Sequence, residues 1–158
     1  MNYLALGDSY TVGEGVAPEE TWAAVMARAL QEEGVALEAP RVIAVTGWTT
    51  DELAAAMDAA EPLGAWDFVS LLIGVNNQYR GRDGAEYREQ FETLLRRAIA
   101  LAGGRTRRVL VVPGSSFNVP YRNHFRVTLL PDADTLREVF TRIDRLLARA
   151  AARDTAAA

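Results

Sequence analysis

The sequence predicts an α/β fold: a mostly parallel sheet between two layers of helices. Three observations predict it. Four short apolar runs, at 2–6, 41–45, 68–73 and 109–112, alternate with segments of helical character. The first run is continuously apolar rather than alternating, as a strand buried on both faces must be. The connections are short, so each strand returns through a helix, and right-handed crossovers then place helices on both faces. The result is a doubly wound, flavodoxin-like three-layer α/β/α sandwich.

Taken in order, the first strand ends at Gly7-Asp8-Ser9. A loop around Gly13-Glu14-Gly15 and Pro18 leads into a helix from about residue 19 to 33. Its apolar residues Trp22, Val25, Met26, Ala29 and Leu30 repeat at helical spacing, and Gly34 stops it. The second strand is closed by Thr46-Gly47-Trp48. Asp51 and Glu52 favour a helix start after Thr50, and that helix ends near Ala60, before Pro62. The third strand breaks at Gly74-Val75-Asn76-Asn77. A long amphipathic helix spans 85–101, with Tyr87, Phe91, Leu94, Leu95 and Ala98 inward, and stops at Gly103-Gly104.

Beyond the fourth strand the alternation changes. Residues 114–123 read as a loop, 125–130 as a strand and 134–151 as a helix, before an alanine-rich tail. About 12 residues separate the fourth and fifth strands, barely enough for a parallel crossover with its helix, so the last strand is a candidate for antiparallel pairing. The whole chain is expected to form one domain, 1–158, with a core over 1–112 and a loop–strand–helix segment over 113–158.

Composition narrows the chemistry. With 158 residues and 49% hydrophobic content the chain can bury an ordinary core. A net charge of −4 and a pI near 5.1 argue against nucleic-acid partners. No apolar run approaches the roughly 18 residues of a membrane span, and the first residues lack the pattern of a signal peptide, which makes a cytoplasmic location the expectation. There is no cysteine, so disulfides and thiolate metal sites are excluded. All 17 basic residues are arginine, so lysine-based Schiff-base chemistry is excluded as well. Any imidazole chemistry must use the single histidine, His124.

Three strand ends carry distinctive residues: Ser9, Gly47 and Asn76. In a parallel sheet all three lie on one edge, where open α/β folds place their ligand sites. Acyl hydrolysis needs a nucleophile and donors aimed at a developing oxyanion. The Ser9 hydroxyl meets the first need; the backbone N–H groups of Ser9 and Gly47 and the Asn76 amide meet the second. Each residue also has a plainer reading: Ser9 as a helix cap, Gly47 as a helix-entry turn, Asn76 as a turn residue after a strand. Asp8, Trp48 and Asn77 are candidate substrate contacts, with Tyr79 beside them, although Trp48 equally suits packing. Asp8 adjoins Ser9 in sequence, which does not orient its carboxylate toward the hydroxyl. No cofactor and no metal is expected.

Gly-Asp-Ser-Tyr at 7–10, Gly47 and Gly-Val-Asn-Asn at 74–77 resemble the first three blocks of the SGNH, or GDSL-type, hydrolases. The resemblance covers residues 1–112. It implies Ser9 as nucleophile, Ser9, Gly47 and Asn76 as the oxyanion hole, and a small acyl ester as substrate, without a cofactor. Asn77 stands where the family usually has aspartate. The family's closing Asp-x-x-His block is absent: His124, the candidate base, is preceded three residues earlier by Tyr121.

Residues 109–150, with Asn118-Val119-Pro120, His124-Phe125-Arg126-Val127 and Leu130-Pro131, resemble instead the C-terminal small-domain segment of class I pyridoxal-phosphate aminotransferases. That resemblance implies a carboxylate-gripping role for Arg126. Transamination itself is excluded by the missing cofactor domain and the lack of lysine. Loss of one member of a serine–histidine–acid set costs about 10⁴-fold, while oxyanion donors alone retain about 10³–10⁴ over water. The sequence therefore leaves three readings: an impaired serine ester hydrolase, a recombined α/β domain without activity, and a subunit that needs a partner chain to complete its site.

Overall fold

The computed structural model describes residues 1–113. Four strands, β1 (Tyr3–Gly7), β2 (Arg41–Ala44), β3 (Phe68–Ile73) and β4 (Val109–Pro113), form one sheet in the order β2-β1-β3-β4. All pairings are parallel, with Gly7 opposite Ala44 on one side and Leu72 on the other. The expected strand and helix at 125–130 and 134–151, and the direction of that last strand, lie outside the described residues.

The helices are α1 (Ser9–Val12), α2 (Trp22–Glu32), α3 (Thr50–Ala59), α4 (Val75–Tyr79) and α5 (Gly84–Leu101). Strand alternation divides the side chains between two cores. Leu4 and Leu6 of β1 and Val69, Leu71 and Ile73 of β3 pack with Leu53 and Met57 of α3 and Leu94 and Ala98 of α5. Tyr3 and Ala5 face the other way, onto Ala23 and Ala27 of α2 and onto Leu37. Helices thus cover both faces, and β1 is buried along its whole length. Each fully buried leucine contributes about 1.5–3 kcal/mol to this arrangement. Among the described residues a buried polar pair in the sheet is satisfied: the Tyr3 hydroxyl and Ser70 Oγ lie 2.8 Å apart.

Some boundaries differ from expectation. The helix expected from residue 19 begins at Trp22, because Thr21 is extended and its side chain caps α2 by accepting from the Ala24 N–H at 3.3 Å. Residues 18–20 form a separate 3₁₀ turn. Two short helices, α1 and α4, occupy stretches that read as plain turns in the sequence. Four and five residues are too few to display a 3.6-residue period.

Candidate active site

The chain leaves β1 through a tight packing constraint. A Cβ at Gly7 would stand 2.1 Å from Thr11 Oγ1 and 2.5 Å from the Leu72 carbonyl oxygen. Gly7 has no positive φ; what it provides is room for α1 to fold back against β3. Asp8, fully buried, then caps α1 by accepting from the Tyr10 N–H at 3.1 Å. Ser9 is the first helical residue, half-buried at the carboxyl edge of the sheet. Gly13 ends α1 in the left-handed region, at φ 74°.

The loop after β2 carries Gly47 at φ 86°, a conformation that glycine adopts freely and other residues resist. This loop is held from α4. The Asn76 amide donates to the Trp48 carbonyl at 2.9 Å, Arg80 Nη2 donates to the Gly47 carbonyl at 2.6 Å, and Asn77 Oδ1 accepts from the Thr50 N–H at 3.1 Å. Asn77 Nδ2 also donates to Thr50 Oγ1 at 2.7 Å. An amide nitrogen carries two hydrogens, so Asn76 keeps one N–H beyond its bond to Trp48.

The structure brings the strand-end residues to one edge. Ser9 follows Gly7 by two residues, Gly47 follows Ala44 by three, and Asn76 follows Leu72 by four, while Gly7, Ala44 and Leu72 are in register. Because β2 and β3 flank β1 on opposite sides, this edge is also the point where the strand order reverses. His124 and Arg126 lie outside the described residues. Asn77, expected as a substrate contact, is only 3% exposed and its amide is engaged by Thr50 at both ends. Trp48 is half-buried and packs against the larger core, in keeping with its packing alternative. Tyr79 is 76% exposed.

Burial without charge compensation dominates the electrostatics at Asp8. It lifts the carboxyl from its ordinary 3.8 to about 6, and Oδ2 has no hydrogen-bond partner among the described residues. The rim outside Gly47 is the opposite case. Arg82, followed by Thr49, holds Asp51 down at about 2, and the Thr49 N–H and hydroxyl, with Arg80, lower Glu52. The sequence reading missed Arg80 and Arg82; the signal available was the four-residue spacing from Asn76 to Arg80, one helical turn. Two concavities on the described surface lie elsewhere: one of about 430 Å³ at Met1, Gln31 and Leu37, the other of about 370 Å³ on α5 at Gly84, Arg88 and Glu92. Among the described residues no three histidine, aspartate or glutamate side chains group as a metal site, and no helix is long and apolar enough to cross a membrane.

A parallel α/β sheet thus carries serine, glycine and asparagine at three neighbouring strand ends. The family model described as "GDSL-like Lipase/Acylhydrolase family" matches residues 5–157, and the chain belongs to that family. The match runs through 109–150, and nothing in the comparisons shows the aminotransferase-like segment expected there. No curated protein matches the chain. Among solved structures, TesA superposes with a TM-score of 0.60 at 20% identity, covering 72% of this chain and 59% of its own. The psychrotrophic esterase EstA from Pseudoalteromonas sp., inhibited by monoethylphosphonate, gives 0.57 at 18%, covering 71% and 57%. AlinE4, an SGNH-hydrolase family esterase, gives 0.52 at 22%, covering 94% and 95%. The chain thus spans less than two thirds of the first two proteins and nearly all of the third. These likenesses establish the fold.

Proposed function

We propose that this chain is a serine ester hydrolase acting on a small acyl ester. Ser9 Oγ attacks the acyl carbonyl carbon as its proton passes to a base. The carbonyl π electrons move to oxygen, and the N–H groups of Ser9 and Gly47 and the free N–H of Asn76 receive the oxyanion. Collapse expels the alcohol, whose oxygen takes the proton back from the base, and leaves an acyl-serine. Water, giving a proton to the same base, then cleaves it to carboxylic acid and Ser9, which recovers that proton. The observation that carries this reading is the Asn76–Trp48 hydrogen bond, which fastens the turn after β3 to the loop after β2 on the Ser9 edge.

The base is the open position in this scheme. His124 is the chain's single imidazole and lacks the aspartate three residues before it that the family uses to orient its histidine. Buried Asp8 is turned to the Tyr10 N–H and serves as the cap of α1. We assign the base to His124 and expect turnover well below that of a complete triad. The absent block also favours one alternative, a domain that keeps the fold without turnover.

Hydrolysis of p-nitrophenyl acetate by the full chain separates them. The proposal expects Ser9→Ala and His124→Ala each to remove the catalysed rate, and Asn76→Ala to lower kcat by about 10²–10³-fold. A rate unchanged by Ser9→Ala refutes the serine mechanism. A rate lost in Ser9→Ala and kept in His124→Ala moves the base to another group.

A further inference from the structure

The Gly47 loop has a second holder besides Asn76, and its placement points beyond surface ion pairing. Arg80 caps the C-terminus of α4, and its backbone N–H donates to the Asn76 carbonyl at 2.9 Å. Positions 76 and 80 therefore lie on one helical face. From that face the two side chains reach two successive carbonyls, Asn76 that of Trp48 and Arg80 that of Gly47. The guanidinium is in turn held by Glu52, whose Oε1 accepts from Arg80 Nη1 at 3.2 Å while Oε2 accepts from the Thr49 N–H at 2.8 Å.

Gly47 needs such a holder. At φ 86° a glycine has little side-chain steric restraint: the nearest atom to a Cβ built there is Arg80 Nη2 itself, 3.8 Å away. Pinning the carbonyl of residue 47 fixes the Gly47–Trp48 peptide plane. The glycine's own N–H lies in the preceding plane, so it then swings against a fixed neighbour through the two torsions of Gly47 alone. An exposed ion pair between Arg80 and Glu52 stabilises a fold very little. A rigid two-donor fork that joins a carboxylate to a backbone carbonyl supplies orientation, which a flexible ammonium does not reproduce.

We infer that Arg80 is a positioning residue for the oxyanion hole: by holding the Gly47 carbonyl it anchors the peptide adjoining the Gly47 N–H and so narrows the range over which that N–H can swing. The inference rests on the Ser9–Gly47–Asn76 reading of the site. A misplacement on the order of 1 Å in such machinery costs about 10²-fold, so Arg80→Met is expected to lower kcat on p-nitrophenyl acetate by about 10–100-fold with KM within about twofold. Arg80→Lys, keeping one donor, falls between Arg80→Met and wild type. Arg96→Met, which removes an exposed pair with Glu92 on α5, is the control and leaves the rate unchanged.

The same variants are read by amide hydrogen exchange at Trp48, Thr49 and Thr50, which does not depend on turnover. Exchange there is expected to speed up about tenfold or more in Arg80→Met and to stay at the wild-type rate in Arg96→Met. Exchange within twofold of wild type in Arg80→Met overturns the clamp. Faster exchange with kcat unchanged overturns its catalytic consequence. If Ser9→Ala keeps the full rate, or wild type has none, the nucleophile reading fails and the positioning role falls with it, while the exchange result still decides whether Arg80 holds the loop.

Discussion

Asp8 brings a carboxyl into the protein where its ionised form is poorly solvated. With its pKa raised from 3.8 to about 6, the folded protein retains a proton between those values that the unfolded chain releases. Stability from this group is therefore greatest at low pH and falls as pH rises through about 4 to 6. Above that window the ionised carboxyl costs about 3 kcal/mol. Asp8→Asn keeps a cap for α1 and removes the charge. Urea denaturation at several pH values should show the variant gaining on wild type by up to that amount between pH 4 and 7. Parallel stability curves for the two proteins would contradict it. That Ser9, Gly47 and Asn76 share one edge of the sheet was legible in the sequence because each stands a few residues after an apolar run. The burial of Asp8 was not, since an acidic residue in a turn ordinarily faces water. Why position 7 takes a glycine was not legible, because close approach to Thr11 and the Leu72 carbonyl is a tertiary fact.

At the scale of elements, the start of α3 depends on α4. Asn77 satisfies the Thr50 N–H and hydroxyl in the interior, where an orphaned donor or acceptor costs about 1–3 kcal/mol. Asn77→Ala should destabilise the protein by about 2–3 kcal/mol in chemical denaturation. Asn77→Asp, the residue the family usually carries, keeps the acceptor for the Thr50 N–H but loses the donor to Thr50 Oγ1 and buries a charge, so at neutral pH it should recover only part of that loss. Equal losses in the two variants would show that neither side-chain volume nor the acceptor for the Thr50 N–H matters there. The Thr50 hydroxyl also bonds Gln90, so α3, α4 and α5 meet at one residue. The long helices and four strands were legible from apolar spacing. The short helices α1 and α4 were not, although they carry Ser9, Asn76, Asn77 and the Arg80 cap, because their formation follows from caps and contacts made across the sheet edge.

For the described part of the molecule, protection should follow the sheet from centre to border. β1 and β3 are buried almost throughout, whereas β2 is a border strand with Arg41 and Val42 exposed. Amide exchange should be slowest at 4–6 and 69–72 and clearly faster at 41–44, since opening a border strand exposes less apolar surface. Equal protection in β1 and β2 would mean that the sheet opens as one unit. The strand sequence and parallel direction followed from the alternation of apolar runs and helices; which side chains cross between loops did not, as no local pattern encodes a partner about 30 positions away.

The four hydrogen bonds from Asn76, Asn77 and Arg80 to residues 47–50 make two distant segments a matched pair. Gene-shuffling breakpoints placed between 51 and 73 would separate lock from key, joining one parent's loop to another parent's fastener. Progeny that inherit both segments from the same ancestor should be the ones that survive.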